Sequence, residues 1–186
     1  MMLRAMRFTQ RQDLERQHDA SECLQTILEI IPAMNFLCHQ IQEEIKCTGC
    51  EYKKNSNTFM TITSIEIPKK RNSDGTDKFC TKDAIQNYFQ STEHNILLNC
   101  DHCPARTCSK KIRLVSPPNF IVIQFKRFNV TTLRTRRITM KNNSQSKSFM
   151  NVNINTLSGA AKYEVIATLE HIGTSMNHGH YVSYSN

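Results

Sequence analysis

The chain has 186 residues, of which 39% are hydrophobic and 22% are charged, and it carries a net charge of +8. This composition is typical of a globular domain and excludes a disordered chain, and no stretch approaches the roughly 18 apolar residues of a membrane span. The first dozen residues contain three arginines and no apolar run, which predicts no secretory signal. We therefore expect a reducing compartment, the cytoplasm and/or the nucleus, where eight cysteines indicate metal binding or catalysis rather than disulfides.

The positive charge is spread along the chain rather than gathered in one run. Basic residues cluster modestly at positions 69–71, 110–111 and 134–137. Such diffuse basicity is typical of a solvated surface, whereas a nucleic-acid-binding protein concentrates its lysines and arginines on one face. The sequence therefore does not favour RNA or DNA as a partner.

The first predicted element is a helix over residues 20–31. Asp19 is its predicted N-cap, and Glu22 lies in the first turn, where the positive end of the helix dipole favours an acid. Pro32 is expected to end the helix. The residues at helical spacing on one apolar face are Cys23, Leu24, Ile27, Leu28 and Ile31.

The rest of the chain reads mainly as β structure. The pattern is strand-like over residues 36–45, and residues 58–67 predict a second strand because they are rich in Thr and Ile. After a polar loop, Thr81 is the predicted cap of a short helix whose apolar set is Ala84, Ile85, Tyr88 and Phe89. Further predicted strands cover residues 96–99, 111–115, 119–128, 148–154, 163–170 and 180–185. This order of elements predicts an α+β protein that is mostly antiparallel β with few helices.

Two CxxC pairs are the strongest chemical signal in the sequence. The first pair is Cys47 and Cys50, the second is Cys100 and Cys103, and 49 residues lie between the pairs. Each CxxC turn lets two thiolates converge on one tetrahedral ion, so two turns complete a closed shell of four cysteines. The sequence thus predicts one structural Zn2+ without an open coordination position, against the alternative of two unrelated surface turns. Cys108 is a less favoured substitute ligand, and Cys23 is expected to pack on the helix face.

The end of the chain carries a second chemical signal. His178, Gly179, His180 and Tyr181 run directly into the last predicted strand. From these residues alone, the stretch could be a solvated turn, half of a metal site, or the base of a catalytic pair, which requires a nucleophile elsewhere.

Four blocks of sequence, taken in order, resemble the ubiquitin-specific protease family of papain-like cysteine deubiquitinases. The first is QHDASECLQTIL at residues 17–28, followed by the first CxxC pair. The third is NCDHCPARTCSKKIRLVSPPNFIVIQFKRF at residues 99–128, and the last is YEVIATLEHIGTSMNHGHYVSYS at residues 163–185. The resemblance implies the fingers and palm of the family's hand-shaped fold, with zinc-bearing fingers at about 36–115 and a palm at about 116–186.

The resemblance also implies roles for individual residues. His180 is the expected general base, and Gly179 is expected to leave room for the substrate tail. Asp19 and Glu22 are the expected acceptors for the arginine-bearing tail of ubiquitin. The implied activity is hydrolysis of the isopeptide or peptide bond after the C-terminal glycine of ubiquitin. Ubiquitin and ubiquitinated proteins are the implied partners, and no membrane is involved.

Two parts of the family's catalytic triad have no counterpart in these residues. The family's nucleophile lies in a cysteine box upstream of the block at 17–28, and its third triad member follows the Gly-His-Tyr motif by several residues. We therefore expect the chain to be inactive alone. It is then either a partial sequence of an active enzyme or a ubiquitin-binding pseudo-enzyme. A zinc-stabilised nucleic-acid or adaptor module is the third hypothesis, but it leaves the blocks at 17–22 and 179–184 unexplained.

Overall fold

The structure, a computed structural model, describes residues 19–31, 36–67, 81–126, 128–131, 134–137, 151–175 and 178–185. These residues form two helices and twelve strands. The helices are α1 (Ala20–Ile30) and α2 (Thr81–Gln90). The first six strands are β1 (His39–Cys47), β2 (Lys53–Met60), β3 (Ile62–Glu66), β4 (Thr92–Leu97), β5 (Thr107–Leu114) and β6 (Val122–Lys126). The others are β7 (Phe128–Thr131), β8 (Arg134–Arg137), β9 (Asn151–Thr156), β10 (Gly159–Glu164), β11 (Ala167–Ser175) and β12 (His178–Ser185).

Helix α1 begins as the sequence predicts. The carboxylate of Asp19 accepts a hydrogen bond from the backbone N–H of Ser21 (2.7 Å), so the N-cap satisfies a donor that has no partner within the helix. Leu28 is the buried residue of this helix, while Ile31 at its end is exposed. The predicted stop at Pro32 lies outside the described residues.

Two predicted strands are each divided in the structure. Most residues of the predicted strand at 58–67 are in strands, but they do not form one strand, because the chain bends at Thr61 and separates β2 from β3. The two parts then pair with different neighbours, β2 with β1 and β3 with β6. The predicted strand at 163–170 is similarly split between β10 and β11. A continuous β-favouring composition does not reveal where a strand changes partner, since either partner suits the same residues.

The largest sheet has six strands and is built around β5. Its order is β10–β9–β5–β1–β2, and β4 also pairs with β5. All pairs in this sheet are antiparallel except the contact of Leu114 in β5 with Thr156 in β9. Three two-stranded sheets complete the described strands: the parallel pair β3–β6 and the antiparallel pairs β7–β8 and β11–β12. The α+β class is therefore confirmed.

The hydrophobic core lies where α2 packs on β9, β5 and β3. Its most deeply buried side chains are Phe89, Leu114 and Ile154. The predicted apolar face of α2 is confirmed, because Ala84, Ile85 and Phe89 are all buried in this cluster. The four strands β4, β5, β1 and β2 extend from this core to an end where two chain reversals lie side by side. Neither described helix is long and apolar enough to cross a membrane.

Candidate zinc centre and histidine region

The cysteines gather because two hairpins end at the same place. The first reversal joins β1, which ends at Cys47, to β2, and the second joins β4 to β5. Strands β1 and β5 are antiparallel neighbours in which Cys47 lies opposite Cys108, so sheet register brings the two reversals together. Thr48 strengthens the junction: its backbone N–H donates to the carbonyl of Thr107 (3.2 Å). We call residues 47–52 and 98–108 the zinc tip.

The four thiols have the geometry of a four-cysteine zinc site. The Sγ atoms of Cys47 and Cys103 are 3.5 Å apart, those of Cys50 and Cys100 are 3.8 Å apart, and all four lie within 4.8 Å of one another. A tetrahedron with Zn–S bonds of about 2.3 Å has sulfur–sulfur edges of about 3.8 Å. The residues therefore fit one structural zinc ion, as the two CxxC pairs predict, and the four sulfur ligands leave no open position for water.

The electrostatics of the site also call for a cation. The backbone N–H of Gly49 donates to Cys47 Sγ (3.2 Å) and lowers the pKa of that thiol to about 7. The backbone N–H of Tyr52 lowers the pKa of Cys50, but burial and the three neighbouring thiols outweigh it and raise this pKa to about 12. Four thiols this close cannot all ionise without a metal ion, and a bound divalent cation removes that conflict.

Close packing holds the two reversals of the zinc tip against each other. A Cβ at Gly49 would lie 2.7 Å from Cβ of Ala105, so only glycine permits this approach. The rings of Tyr52 and His102 stack across the site with their centroids 3.9 Å apart. These contacts join the first reversal to the second from outside the ligand set.

Among the residues that the structure describes, the cysteines outside the four-thiol cluster do not join the metal site. Cys108 is buried, and its thiol donates to the carbonyl of Leu98 (3.6 Å), which excludes the alternative that it substitutes as a ligand. Burial is the main cause that raises the pKa of Cys108, and the charges of nearby thiols raise it further. Cys23 and Cys38 are partly buried, and Cys80 lies outside the described residues.

His180 lies on β12 opposite Ile172 of β11, and it is exposed. Its neighbour Tyr181 lies opposite His171, and the two rings are 5.1 Å apart. Because successive residues of a strand alternate between faces, His180 projects from the opposite face to Tyr181. The exposed position of His180 leaves its ring accessible to another group.

The start of α1 lies beside this strand. The backbone N–H of Ala20 donates to the phenolic oxygen of Tyr181 (3.3 Å). Asp19 precedes Ala20 and His180 precedes Tyr181, so the bond joins the neighbours of two predicted site residues. Asp19 and Glu22 are both exposed there. We call β11, β12 and the start of α1 the histidine region.

Packing against strand β11 explains why residue 179 is a glycine. A Cβ at this position would lie 2.6 Å from the carbonyl oxygen of Ile172 and would run into the imidazole ring of His171. The space beside Gly179 is thus filled by strand β11. Its predicted role beside a substrate tail stays a prediction, as do the roles of His180, Asp19 and Glu22. Of the side chain of His178 the structure gives no description.

One contact in this region has no signal in the sequence. The side-chain amide of Gln124 on β6 donates to the hydroxyl of Ser21 in α1 (2.5 Å). Gln124 lies in an otherwise apolar stretch, whose pattern predicts only that it belongs to a strand. No local motif connects it with a residue 103 positions away.

Comparisons with known proteins agree with these features. A sequence-family model described as ubiquitin carboxyl-terminal hydrolase matches residues 1–186. The chain is 27% identical over 149 residues to probable ubiquitin carboxyl-terminal hydrolase 16 of Schizosaccharomyces pombe, which covers 77% of this chain and 30% of that protein. It is 27% identical over 152 residues to ubiquitin carboxyl-terminal hydrolase 2 of Gallus gallus, which covers 78% and 40% respectively. The chain thus spans less than half the length of these relatives.

Solved structures share the architecture. The SAGA DUB module Ubp8/Sgf11/Sus1/Sgf73 bound to monoubiquitin matches with a TM-score of 0.70 at 21% identity, over 97% of this chain and 43% of that chain. The same module bound to ubiquitin aldehyde matches with a TM-score of 0.68 at 20% identity, over 96% and 44%. These likenesses confirm the α+β papain-like fold that the sequence resemblance implies.

Proposed function

The chain belongs to the ubiquitin carboxyl-terminal hydrolase family, and on that premise we propose that it is the zinc-bearing and histidine-bearing part of a cysteine-type deubiquitinase. The reaction is hydrolysis of the isopeptide or peptide bond after the C-terminal glycine of ubiquitin. The observation that best supports this proposal is the hydrogen bond between Ala20 and Tyr181. It joins the segment that bears the tail-binding acids to the strand that bears the base.

Each residue of the histidine region has a distinct role in this proposal. His180 accepts the proton of the nucleophilic thiol and later donates it to the leaving amine. Asp19 and Glu22 hold the arginine-bearing tail of ubiquitin, so that the scissile carbonyl is presented to the thiolate. Bound zinc supplies structural cross-linking of the two hairpins. With four cysteine ligands it would have no open position for water or substrate, and its role would be structural.

The nucleophile in this proposal is not one of the seven cysteines that the structure describes. Four thiols form the zinc site and Cys108 is buried. Cys23 lies within helix α1, and no described contact links it or Cys38 to His180. The 186-residue chain by itself therefore binds ubiquitin without cleaving it. The same behaviour is expected of a ubiquitin-binding pseudo-enzyme, and an added nucleophile-bearing segment of the family distinguishes the two.

The same proposal specifies the partners, the compartment and the division of the chain into fingers and palm. Ubiquitin and ubiquitinated proteins are the partners, and the compartment is the cytoplasm and/or the nucleus. The fingers comprise residues 36–115 and the palm residues 116–186. Support for the fingers comes from the zinc tip, which lies at one end of β1, β2, β4 and β5, away from the core; the core itself draws residues from both segments.

A binding experiment on the zinc-loaded 186-residue chain tests the proposal. Ubiquitin titrated into the 15N-labelled chain should shift the amide signals of α1 and β12. Glu22→Gln together with Asp19→Asn should weaken binding, because the arginine-bearing tail loses both carboxylates. Glu29→Gln, at the other end of the same helix, is the matched control and should leave affinity unchanged.

Reactivity completes the test. An electrophilic ubiquitin probe should leave the chain unlabelled, and a ubiquitin–fluorophore conjugate should stay intact, since no thiolate is available to form an acyl intermediate. Labelling at Cys23 or Cys38 would contradict this assignment of the nucleophile. Absence of any ubiquitin-induced shift in α1 and β12 would contradict the substrate role of the histidine region.

A further inference from the structure

A continuous chain of hydrogen bonds runs from the interior of the fold to the exposed carboxylate of Asp19. Ser64 on β3 donates through its hydroxyl to Oε1 of Gln124 on β6 (2.8 Å). Gln124 Nε2 donates to Oγ of Ser21 (2.5 Å), and Ser21 Oγ donates to Oδ1 of Asp19 (2.5 Å). The chain links three segments that are distant in sequence and ends on the N-cap of α1.

Every hydrogen bond in this series donates towards Asp19: Ser64 to Gln124, Gln124 to Ser21, and Ser21 to the carboxylate. The single hydroxyl proton of Ser21 goes to the carboxylate of Asp19, so the Ser21 oxygen can only accept from its other neighbour. That neighbour must be the amide nitrogen of Gln124, which turns the amide oxygen towards Ser64. The direction of every bond is therefore set by the carboxylate, the one group that can only accept.

The two ends of this hydrogen-bond series differ in burial: the end at Ser64 is partly buried, and the end at Asp19 is exposed. Ser64 and Gln124 are opposite each other in the register of the parallel pair β3–β6, and both are partly buried. Asp19 is exposed, and its Oδ1 receives both the hydroxyl and the backbone N–H of Ser21. Among the residues that the structure describes, both of these hydrogen bonds go to the same oxygen of the carboxylate.

We propose that Gln124 is a positioning residue for Asp19: through Ser21 it holds the exposed carboxylate in one rotamer, ready to bind a cationic peptide tail. The inference rests on the proposed function, because that function supplies the arginine-bearing tail. The physical advantage is preorganisation, since an exposed acid that is already ordered loses less conformational entropy when it binds.

The test compares Gln124→Leu with a matched control, Gln90→Leu, in the zinc-loaded chain. Gln90 also donates a side-chain amide hydrogen bond, to the carbonyl of Asn153 (3.5 Å), but it lies on α2. Gln124→Leu should weaken the binding of intact ubiquitin by roughly two- to tenfold, the usual effect of one hydrogen bond. Its affinity for ubiquitin truncated before the arginine-bearing tail should not change, and Gln90→Leu should alter neither affinity.

A double-mutant cycle separates positioning from general stabilisation. In the Asp19→Ala background, Gln124→Leu should cause no further loss of affinity, because the group on which it acts is gone. An equal loss in both backgrounds, or a loss for truncated ubiquitin as well, would overturn the proposal. Should Gln124→Leu fail to fold, Ser21→Ala and Ser21→Thr replace it: the alanine should weaken binding and the threonine, which keeps the hydroxyl, should restore it.

A spectroscopic measurement distinguishes failure of this inference from failure of the proposed function. The 13C signal of the Asp19 carboxyl reports the hydrogen bond from Ser21 whether or not ubiquitin is present. Gln124→Leu should displace this signal and Gln90→Leu should not, and an unmoved signal would overturn the inference. If Asp19→Ala leaves ubiquitin affinity unchanged while the signal still responds to Gln124→Leu, the substrate role of Asp19 is wrong and the positioning contact stands.

Discussion

The zinc tip and the histidine region hold functional side chains together in opposite ways. At the zinc tip, four ligands come from two short turns, and one ion can satisfy all of them together. In the histidine region, Asp19 and His180 belong to segments 161 residues apart, which are joined by single polar contacts such as that of Ala20 with Tyr181. A site held by one metal ion loses its structure as a whole when the ion is lost. A site held by separate contacts can lose each contact independently.

The four thiols of the zinc tip are buried or partly buried, whereas several apolar side chains of the histidine region are exposed. Cys47 at the zinc tip is only 4% exposed. In the histidine region, by contrast, Leu169, Ile172 and Tyr184 are 58%, 46% and 56% exposed. A two-stranded sheet has little surface to bury on its own and is marginally stable without further packing. We therefore expect the zinc tip to respond to metal and the histidine region to respond to small changes in packing.

Loss of one zinc ligand should have the largest effect and is the direct way to break this comparison. Cys103→Ser should reduce bound zinc from about one equivalent per chain to almost none, because a neutral hydroxyl is a poor zinc ligand and the remaining thiolates repel one another. Metal analysis and amide signals of residues 47–52 and 98–108 measure the outcome, and a chelator acting on the unmodified chain should reproduce it.

Cys23→Ser is the matched control for this loss, since it changes a cysteine that lies on α1, away from the cluster. It should retain one equivalent of zinc. Full zinc content in the Cys103→Ser chain would contradict the four-cysteine site, and so would loss of zinc from the Cys23→Ser chain.

An added methyl group at Gly179 should have an intermediate effect that stays within the histidine region. Gly179→Ala places a Cβ against the ring of His171 and the carbonyl of Ile172, so β11 and β12 must move apart. We expect the free energy of unfolding to fall by about 1–3 kcal/mol, as in other overpacked sites. Denaturant titration measures the loss, and zinc content should stay at one equivalent.

Ser183→Ala on the same strand is the control and should change stability by less than about 0.5 kcal/mol, because Ser183 is exposed. Combining Gly179→Ala with His171→Ala should restore only part of the loss, since the Ile172 carbonyl remains in place. A Gly179→Ala chain as stable as the original would show that β11 does not fill this space.

A mild pH dependence of stability, caused by His39 at the start of β1, should be the smallest effect. It sharpens the comparison because His39 belongs to neither region. His39 is buried, its Nε2 hydrogen-bonds to Thr63 (2.7 Å), and burial lowers its pKa despite the opposing bond to the Leu37 carbonyl. Between the lowered folded pKa and the unfolded value near 6.5, the unfolded chain binds the additional proton. Stability from neutral His39 is therefore complete above about pH 6.5 and decreases as the pH falls below it.

Unfolding measured from about pH 7.5 to about pH 5.5 checks this expectation. His39→Gln, which keeps polar atoms but does not titrate, should flatten the dependence, while zinc content measured in the same samples separates it from acid release of the metal. A pH profile identical in the original and His39→Gln chains would contradict the assignment.

Local sequence determined the features whose partners are close along the chain. The Asp19 cap and the buried face of α2 were predictable because helical periodicity and capping depend on residues within a turn of each other. The zinc ligands were predictable because each CxxC turn already brings two thiolates together. The resemblance to a family added the expected roles of His180 and the acids, through four blocks in a recognisable order.

Only the tertiary structure decided which distant segments meet. It divided residues 58–67 between two sheets, placed Gln124 beside Ser21, and filled the space next to Gly179 with His171. An apolar or β-favouring pattern reports whether a residue is buried, but it does not report which strand buries it. That choice depends on sheet register and on packing of the whole core, where the favourable contacts are summed over residues far apart in sequence.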